Sequence, residues 1–106
     1  MTRTLTVLID DNRKLQCDVI IREGNTAVAT YKALAPYVKE LYMDNDLGDN
    51  QVEGWRILEE LNQLDLLPPR IEIVSSNTAA VSRMGRMLEA EGYVTPNQER
   101  RSWTKP

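Results

Sequence analysis

Four carboxylates stand in two clusters, and each cluster follows a short apolar run. Asp10 and Asp11 end the first apolar run of the chain, and Asp44 and Asp46 follow a later one. In open α/β sheets, ligands bind in the crevice beyond the carboxyl ends of the strands, where such acids would meet. Carboxylate oxygens are the ligands that Mg2+ prefers. The spacing therefore predicts a magnesium site formed by all four acids.

The same acids have a simpler interpretation that involves no metal. Asp10 and Asp11 would begin a turn and Asp46 would cap a loop, since Asp is common in both positions. Four carboxylates at one edge would repel one another without a cation, which gives a metal ion a physical reason to bind. We favour the metal interpretation on this ground.

Histidine is absent from the chain, and cysteine occurs once, at Cys17. The chain therefore lacks the commonest general base and the commonest ligand of transition metals. A nucleophile activated by histidine is excluded within this chain. Phosphoryl chemistry assisted by Mg2+ stays open, with Asp44 as the candidate nucleophile.

Length and composition limit the class of protein. With 106 residues, 42% of them apolar and 27% charged, the chain is expected to form one compact domain. Its net charge of −3 gives no general attraction to nucleic acid. No apolar run approaches the ~20 residues of a membrane span, and the N-terminus has no signal-peptide pattern. We therefore expect a cytoplasmic location, with neither nucleic acid nor membrane as a partner.

The pattern of apolar residues predicts strands that alternate with helices. Strands are expected over residues 4–9, 17–21, 40–44 and 70–75, and helices near Asn25, after a capping box of Asn50 and Glu53, and near Asn77. This order predicts an α/β fold, a three-layer sandwich around a mostly parallel sheet of about four or five strands. Only about seven residues separate the first two strands, too few for the usual crossover helix, so their relative direction stays open. Residues 1–94 would form this domain, and residues 95–106 a polar C-terminal tail.

Polar side chains also follow the fourth predicted strand. Ser75, Ser76 and Asn77 would face the same crevice as the acids and would donate hydrogen bonds to a phosphoryl oxygen. Ser75 is therefore a candidate for a catalytic role beside Asp44 and Asp46. In a simpler interpretation, Asn77 or Thr78 only caps the following helix, which is a common role for both residue types.

Taken together, these residues resemble a receiver domain, the phosphoacceptor module of two-component signalling, across most of the chain. The matching residues are Asp10 and Asp11 after the first strand, Asp44 at the end of a central strand, Gly54 at the start of the next helix, and Ser75 and Ser76. The sequence looks most like the divergent branch that is predicted to process cyclic phosphates. The resemblance implies a receiver or flavodoxin-like fold, a bound Mg2+ and a phosphorylated ligand.

Two motifs of that branch are altered in this chain. Its Leu-Asp-His-Asp-Leu-Gly reads Met-Asp-Asn-Asp-Leu-Gly over residues 43–48, and its His-Ser-Ala-Asn reads Val-Ser-Ser-Asn over residues 74–77. Asn45 and Val74 thus replace both histidines of the branch. The region after Gly92 also offers no counterpart of the lysine that ends the fifth strand of a receiver.

Two functions follow from this resemblance. In the first, the acidic pocket senses or processes a phosphorylated small molecule such as a cyclic phosphate. Any catalysis would be a Mg2+-dependent phosphoesterase or phosphoryl-transfer reaction. In the second, the chain is a non-catalytic pseudo-receiver that binds a protein partner, as a regulator or a phage-encoded inhibitor would. Trp103 and Arg101 in the polar tail are its candidate partner contacts, and either a monomer or a homodimer fits both functions.

Overall fold

The structure, a computed structural model, describes residues 2–106 and contains one five-stranded sheet with three α-helices. The strands are β1 Leu5–Ile9, β2 Val19–Ile21, β3 Val38–Met43, β4 Arg70–Ile73 and β5 Ser102–Thr104. The helices are α1 Gly24–Leu34, α2 Gly54–Gln63 and α3 Thr78–Ala90, and a short 3-10 helix, Ala35–Tyr37, follows α1. No helix among the described residues has the length and apolar character needed to cross a membrane.

The sheet has the strand order β2-β1-β3-β4-β5. The first four strands are parallel, and β5 runs antiparallel to β4. This is the order of flavodoxin-like doubly wound folds. The α/β class and the mostly parallel, receiver-like sheet are therefore as predicted from the sequence.

The direction of β2, which the sequence left open, is parallel to β1. Residues 10–18 return the chain along the sheet without forming a helix. The end of this loop is fixed to β1, because the Thr6 N–H donates to Asp18 Oδ2 (2.8 Å) and the Asp18 N–H donates to the Thr6 carbonyl (3.0 Å). A loop that bonds to the strand it leaves can make a parallel connection shorter than the usual crossover.

All three α-helices lie on one face of the sheet. The connections through α1 and α2 join parallel strands and step in one direction across the strand order, so right-handed crossovers place both helices on the same side. α3 precedes the antiparallel β5, and its buried residues Val81, Met84 and Leu88 join the same core. Their buried residues share one core with alternate strand residues, namely Val7, Ile9, Leu41, Met43, Ile71 and Ile73. The connection that would place a helix on the other face is the 10–18 loop, which has none. The face of the sheet that would carry the predicted third layer therefore has no helix among the described residues.

The C-terminal segment is part of the domain. β5 lies within residues 95–106, which the sequence predicted as a tail, and it pairs with β4. Trp103 is only 2% exposed, and its Nε1 donates to the Arg100 carbonyl (2.7 Å). The predicted boundary at residue 94 and the predicted partner contact at Trp103 are thus corrected, because the ring packs inside the core and offers no surface to a partner.

Candidate metal and phosphate site

The two acidic clusters meet at the carboxyl edge of β1 and β3. The register pairs Ile9 with Met43, so that Asp10 and Asp44 follow at the same level of the sheet. The Asp44 N–H donates to the Ile9 carbonyl (3.0 Å), which fixes this relation. One carboxylate oxygen from each of Asp10, Asp11 and Asp44 lies within 4.8 Å of the others. Three of the four acids predicted as ligands therefore form one cluster.

Asp46, the fourth predicted ligand, lies outside this cluster but lines the same cavity. The cavity has a volume of about 330 Å3, and its lining residues are Asp10, Asp11, Asn12, Arg13, Asp44, Asp46 and Ser76. The three clustered oxygens are hard ligands, which suits Mg2+, an ion that binds oxygen at about 2.0–2.1 Å and keeps several waters. Ligands on one such ion are up to about 4 Å apart, so small side-chain adjustments bring these oxygens around it. The donor set therefore fits the predicted ion.

Asp44 carries an electrostatic cost in this pocket. Its side chain is buried, with 9% of the residue exposed. Burial raises the pKa of the Asp44 carboxyl, and the charges of Asp10 and Asp46 act in the same direction. The backbone N–H of Asn45, which donates to Asp44 Oδ1 (2.8 Å), and the Arg13 guanidinium lower it. A bound cation would relieve the same repulsion.

Arg13 places a positive charge inside the acidic cavity, and the sequence reasoning missed it. Its Nη1 lies 2.7 Å from Asp10 Oδ2, and the backbone N–H groups of Arg13 and Asn12 donate to Asp10 Oδ1 (2.9 and 3.0 Å). Arg22 holds this loop in place through the Asp10 and Arg13 carbonyls (3.0 and 2.7 Å). The sequence shows only that Arg13 follows Asp10 by three residues. In a loop of unknown shape, this separation does not predict an ion pair.

Arg101 is bound to the end of β4 rather than to the pocket. Its Nη1 donates to the carbonyls of Ser75 (2.6 Å) and Ile73 (3.3 Å). It does not line the acidic cavity. Among the described residues, Arg13 is therefore the cation that faces the three clustered acids.

The three polar residues after β4 have different positions. Ser76 is exposed and lines the acidic cavity. Ser75 is 1% exposed, does not line that cavity, and its hydroxyl accepts a hydrogen bond from the Asn77 N–H (3.0 Å). Asn77 caps α3 through the Ala80 N–H (3.1 Å), as the simpler interpretation predicted. Only Ser76 of the three is thus placed beside the acids.

Asn45, which stands where the cyclic-phosphate branch has histidine, is fully buried. Its Oδ1 accepts from the Trp55 N–H (3.1 Å), and its Nδ2 donates to Asp46 Oδ1 (3.2 Å) and Glu53 Oε2 (3.3 Å). These bonds cap α2 from a distant strand end, whereas the predicted capping box at Asn50 does not form. Asn45 therefore orients the acidic loop, and its amide, unlike the imidazole of a histidine, does not ionise near neutral pH.

Gly54 allows the first turn of α2 to lie against the end of β3. A Cβ at this position would lie 1.8 Å from the Asp44 carbonyl oxygen and 2.8 Å from the Asn45 Cα. The Gly54 N–H donates to the Asn45 carbonyl at 2.9 Å. Any larger residue would push the helix away from Asp44, so this glycine helps to set the shape of the site.

The strand order and the acids at the ends of β1 and β3 define a receiver-like domain. Over residues 5–90 the sequence matches the family model of the cyclic-phosphate processing receiver domain. The chain therefore belongs to that family, as its residues predicted. No curated protein matches it.

Proposed function

We propose that this chain binds a phosphorylated small molecule, of the cyclic-phosphate type, in a Mg2+-dependent manner at its acidic pocket. The observation that carries the proposal is the cluster of Asp10, Asp11 and Asp44, whose carboxylate oxygens lie within 4.8 Å of one another at the carboxyl edge of a receiver sheet. When bound, Mg2+ would offset the charge of these acids and of a phosphoryl oxygen. Arg13 and Ser76 line the same cavity and would donate hydrogen bonds to the phosphoryl group.

We propose recognition, rather than rapid turnover, as the primary activity. General acid–base catalysis needs a side chain that exchanges a proton near neutral pH. No histidine exists in the chain, and the amide of Asn45 is buried and bonded to Trp55, Asp46 and Glu53. A phosphoryl-transfer or phosphoesterase reaction would then rely on Asp44 as the nucleophile or on a water oriented by bound Mg2+.

Beryllofluoride, a phosphoryl mimic, tests this function directly. The protein is stripped with EDTA and titrated with beryllofluoride, with and without Mg2+, while the tryptophan fluorescence is recorded. Trp103→Phe removes the second tryptophan of the chain and leaves the signal of Trp55, beside the acidic loop. Saturable binding that requires Mg2+ and is lost in Asp44→Asn supports the proposal. Glu59→Gln, an exposed acid on α2, is the matched control and is expected to bind as the wild type does. Binding that survives Asp44→Asn would overturn the proposal.

A second candidate function, a regulator that binds a protein partner, is favoured by a groove between α1 and α2. The groove has a volume of about 470 Å3, and its lining includes Val28, Val52 and Leu64. Val52 and Leu64 are 39% and 44% exposed, which is high for large apolar residues. Loss of a stoichiometric partner in Leu64→Asp, with retention in Asp44→Asn, would favour this function over the first.

A further inference from the structure

A cluster of arginines lies next to the acidic pocket, with Arg56 on the first turn of α2 and Arg83 and Arg86 on the second and third turns of α3. The guanidinium carbons of Arg83 and Arg56 lie 3.5 and 4.5 Å from the centroid of the Trp55 ring. Arg86 lies one turn further along α3 and lines the same cavity as Arg83 and Trp55, whose volume is about 260 Å3. A guanidinium over an indole face is a stable cation–π arrangement, so Trp55 holds Arg83 in place.

The charge of this cluster is not neutralised within the protein. The described residues form three ion pairs, and none of them includes Arg56, Arg83 or Arg86. Glu53 is the one acid in the lining of the cavity, and its carboxylate accepts from Asn45. The start of α3 adds the positive end of a helix dipole. Cations that are held together without a neutralising acid favour the binding of an anionic ligand.

The arginine cavity and the acidic cavity lie side by side, because neighbouring residues of two short segments line one or the other. Asn45 lines the arginine cavity, while its neighbours Asp44 and Asp46 line the acidic one. In the same way, Ser76 lines the acidic cavity and Asn77 the arginine cavity. A ligand anchored among the acids by one phosphate would therefore have the arginine cavity beside it.

We propose that Arg83 and Arg86 bind a second phosphate group of the ligand whose first phosphate lies at the acidic pocket. This inference rests on the proposed function and specifies its ligand class, a small molecule with two phosphate groups. Guanidinium groups bind phosphate through paired, charge-assisted hydrogen bonds. The indole of Trp55 does not stack on a base here, because Arg83 occupies its face, and it serves to position the guanidinium.

Calorimetry with paired ligands tests the inference. A nucleoside 3′,5′-bisphosphate and a 5′-phosphorylated dinucleotide offer two spacings, and each is compared with the nucleoside 5′-monophosphate in the presence of Mg2+. The titration with the monophosphate is repeated in EDTA. The wild type is expected to bind one of the bisphosphorylated ligands about ten-fold more tightly than the monophosphate. In the double variant Arg83→Gln, Arg86→Gln, this preference should fall to within about two-fold, while the affinity for the monophosphate stays the same.

Arg70→Gln is the matched control, since Arg70 is exposed and lies on β4 with its charge paired to Glu40. It should keep the full preference, and circular dichroism would verify that all variants are folded. Equal affinities in the wild type, or a preference that survives the loss of Arg83 and Arg86, would overturn the inference. Failure of the proposed function has a different signature, since the binding of the monophosphate would then be independent of Mg2+.

Discussion

Asp44 is the residue at which stability and ligand binding oppose each other. Burial raises the pKa of its carboxyl, so any stability that the protonated form contributes is lost as the pH rises through that pKa. At neutral pH the charged form therefore costs free energy in the metal-free protein. Asp44→Asn should raise the free energy of unfolding in EDTA by about 1 kcal/mol, a shift of a few degrees in Tm.

Thermal denaturation in EDTA and in Mg2+ measures this effect. The wild type should gain stability from Mg2+, whereas Asp44→Asn should gain none, because it lacks the central carboxylate. Glu59→Gln should behave as the wild type does in both conditions. A lower Tm for Asp44→Asn in EDTA would contradict the electrostatic account of this residue.

Arg13 should affect the two ligands of the pocket in opposite directions. Its guanidinium lies 2.7 Å from Asp10 Oδ2, where it competes with a cation for the carboxylate. Arg13→Gln should therefore raise the affinity for Mg2+ by about five-fold and lower that for beryllofluoride by a similar factor. Calorimetric titrations with each ligand measure both, with the neighbouring exposed Lys14→Gln as the control. Changes of the same sign would show that Arg13 acts only on the stability of the loop.

At the scale of elements, the close approach of α2 to β3 depends on Gly54. A Cβ there would meet the Asp44 carbonyl at 1.8 Å, and a backbone atom cannot move aside as the end of a side chain does. Gly54→Ala should cost about 3 kcal/mol or more of stability and abolish the binding of Mg2+. In Gly85→Ala the closest contact of the new Cβ is with the Trp103 side chain at 3.1 Å, and alanine is the better helix former, so a cost of no more than about 1 kcal/mol is expected. Urea denaturation gives both values, and equal costs would contradict this explanation.

The elements that the sequence predicts well are those defined by local patterns. β1, β3 and β4 end within two residues of their predicted limits. β1 is a largely apolar run, and in β3 and β4 the buried residues Leu41, Met43, Ile71 and Ile73 alternate with polar or half-buried ones, which is the local pattern of a strand. A cap on α3 at Asn77 or Thr78 is one of the interpretations that the sequence offers, since such a hydrogen bond is local to the helix start, and Asn77 makes it.

The features that the sequence reasoning missed depend on contacts between distant segments. The cap of α2 comes from Asn45, which precedes Trp55 by ten residues, while Asn50 adopts a left-handed turn with φ of 62°. β5 is only three residues long, so the alternation around Trp103 is too short to indicate a strand. The ion pair of Arg13 with Asp10 depends on the conformation of the loop, which the propensities of its single residues do not predict. Three of the four predicted metal ligands nevertheless cluster, because their positions follow from strand ends.

At the scale of the whole molecule, the sheet has helices on one face and, around the buried Leu8 of β1, a largely polar surface on the other. Half-buried polar residues line this second face, namely Thr6, Glu40, Tyr42, Glu72 and Ser102. They pair with one another, since the Ser102 hydroxyl donates to Glu72 and Arg70 pairs with Glu40. The stability of the domain therefore rests on the single core beneath the helices, which Trp103 and Tyr93 complete from the C-terminal segment.

Tyr93 makes the stability of this core sensitive to high pH. Its hydroxyl donates to the Pro68 carbonyl (2.6 Å), and burial raises its pKa from 10 to about 12. The stability that the neutral hydroxyl contributes is complete below pH 10 and is lost as the pH rises through about 12. Tyr93→Phe should lower the free energy of unfolding by about 1 kcal/mol at neutral pH and weaken its decline at alkaline pH.

Urea denaturation at neutral and alkaline pH tests this prediction. Tyr31 is a useful comparison, because its buried hydroxyl has no hydrogen-bond partner among the described residues. Tyr31→Phe should therefore leave the stability at neutral pH unchanged or raise it. Tyr37→Phe, on an exposed side chain, should match the wild type at both pH values. An equal loss in the variants of Tyr93 and Tyr31 would contradict the role given to the Pro68 hydrogen bond.

The measurement that tests the central claim most directly is a calorimetric titration of the EDTA-stripped protein with Mg2+. The wild type should bind one ion per chain with saturation, and Asp44→Asn and Asp10→Asn should each lose this binding. Glu59→Gln should retain it. The absence of binding at millimolar Mg2+, or binding that is unchanged in both aspartate variants, would contradict the assignment of Asp10, Asp11 and Asp44 as a metal site.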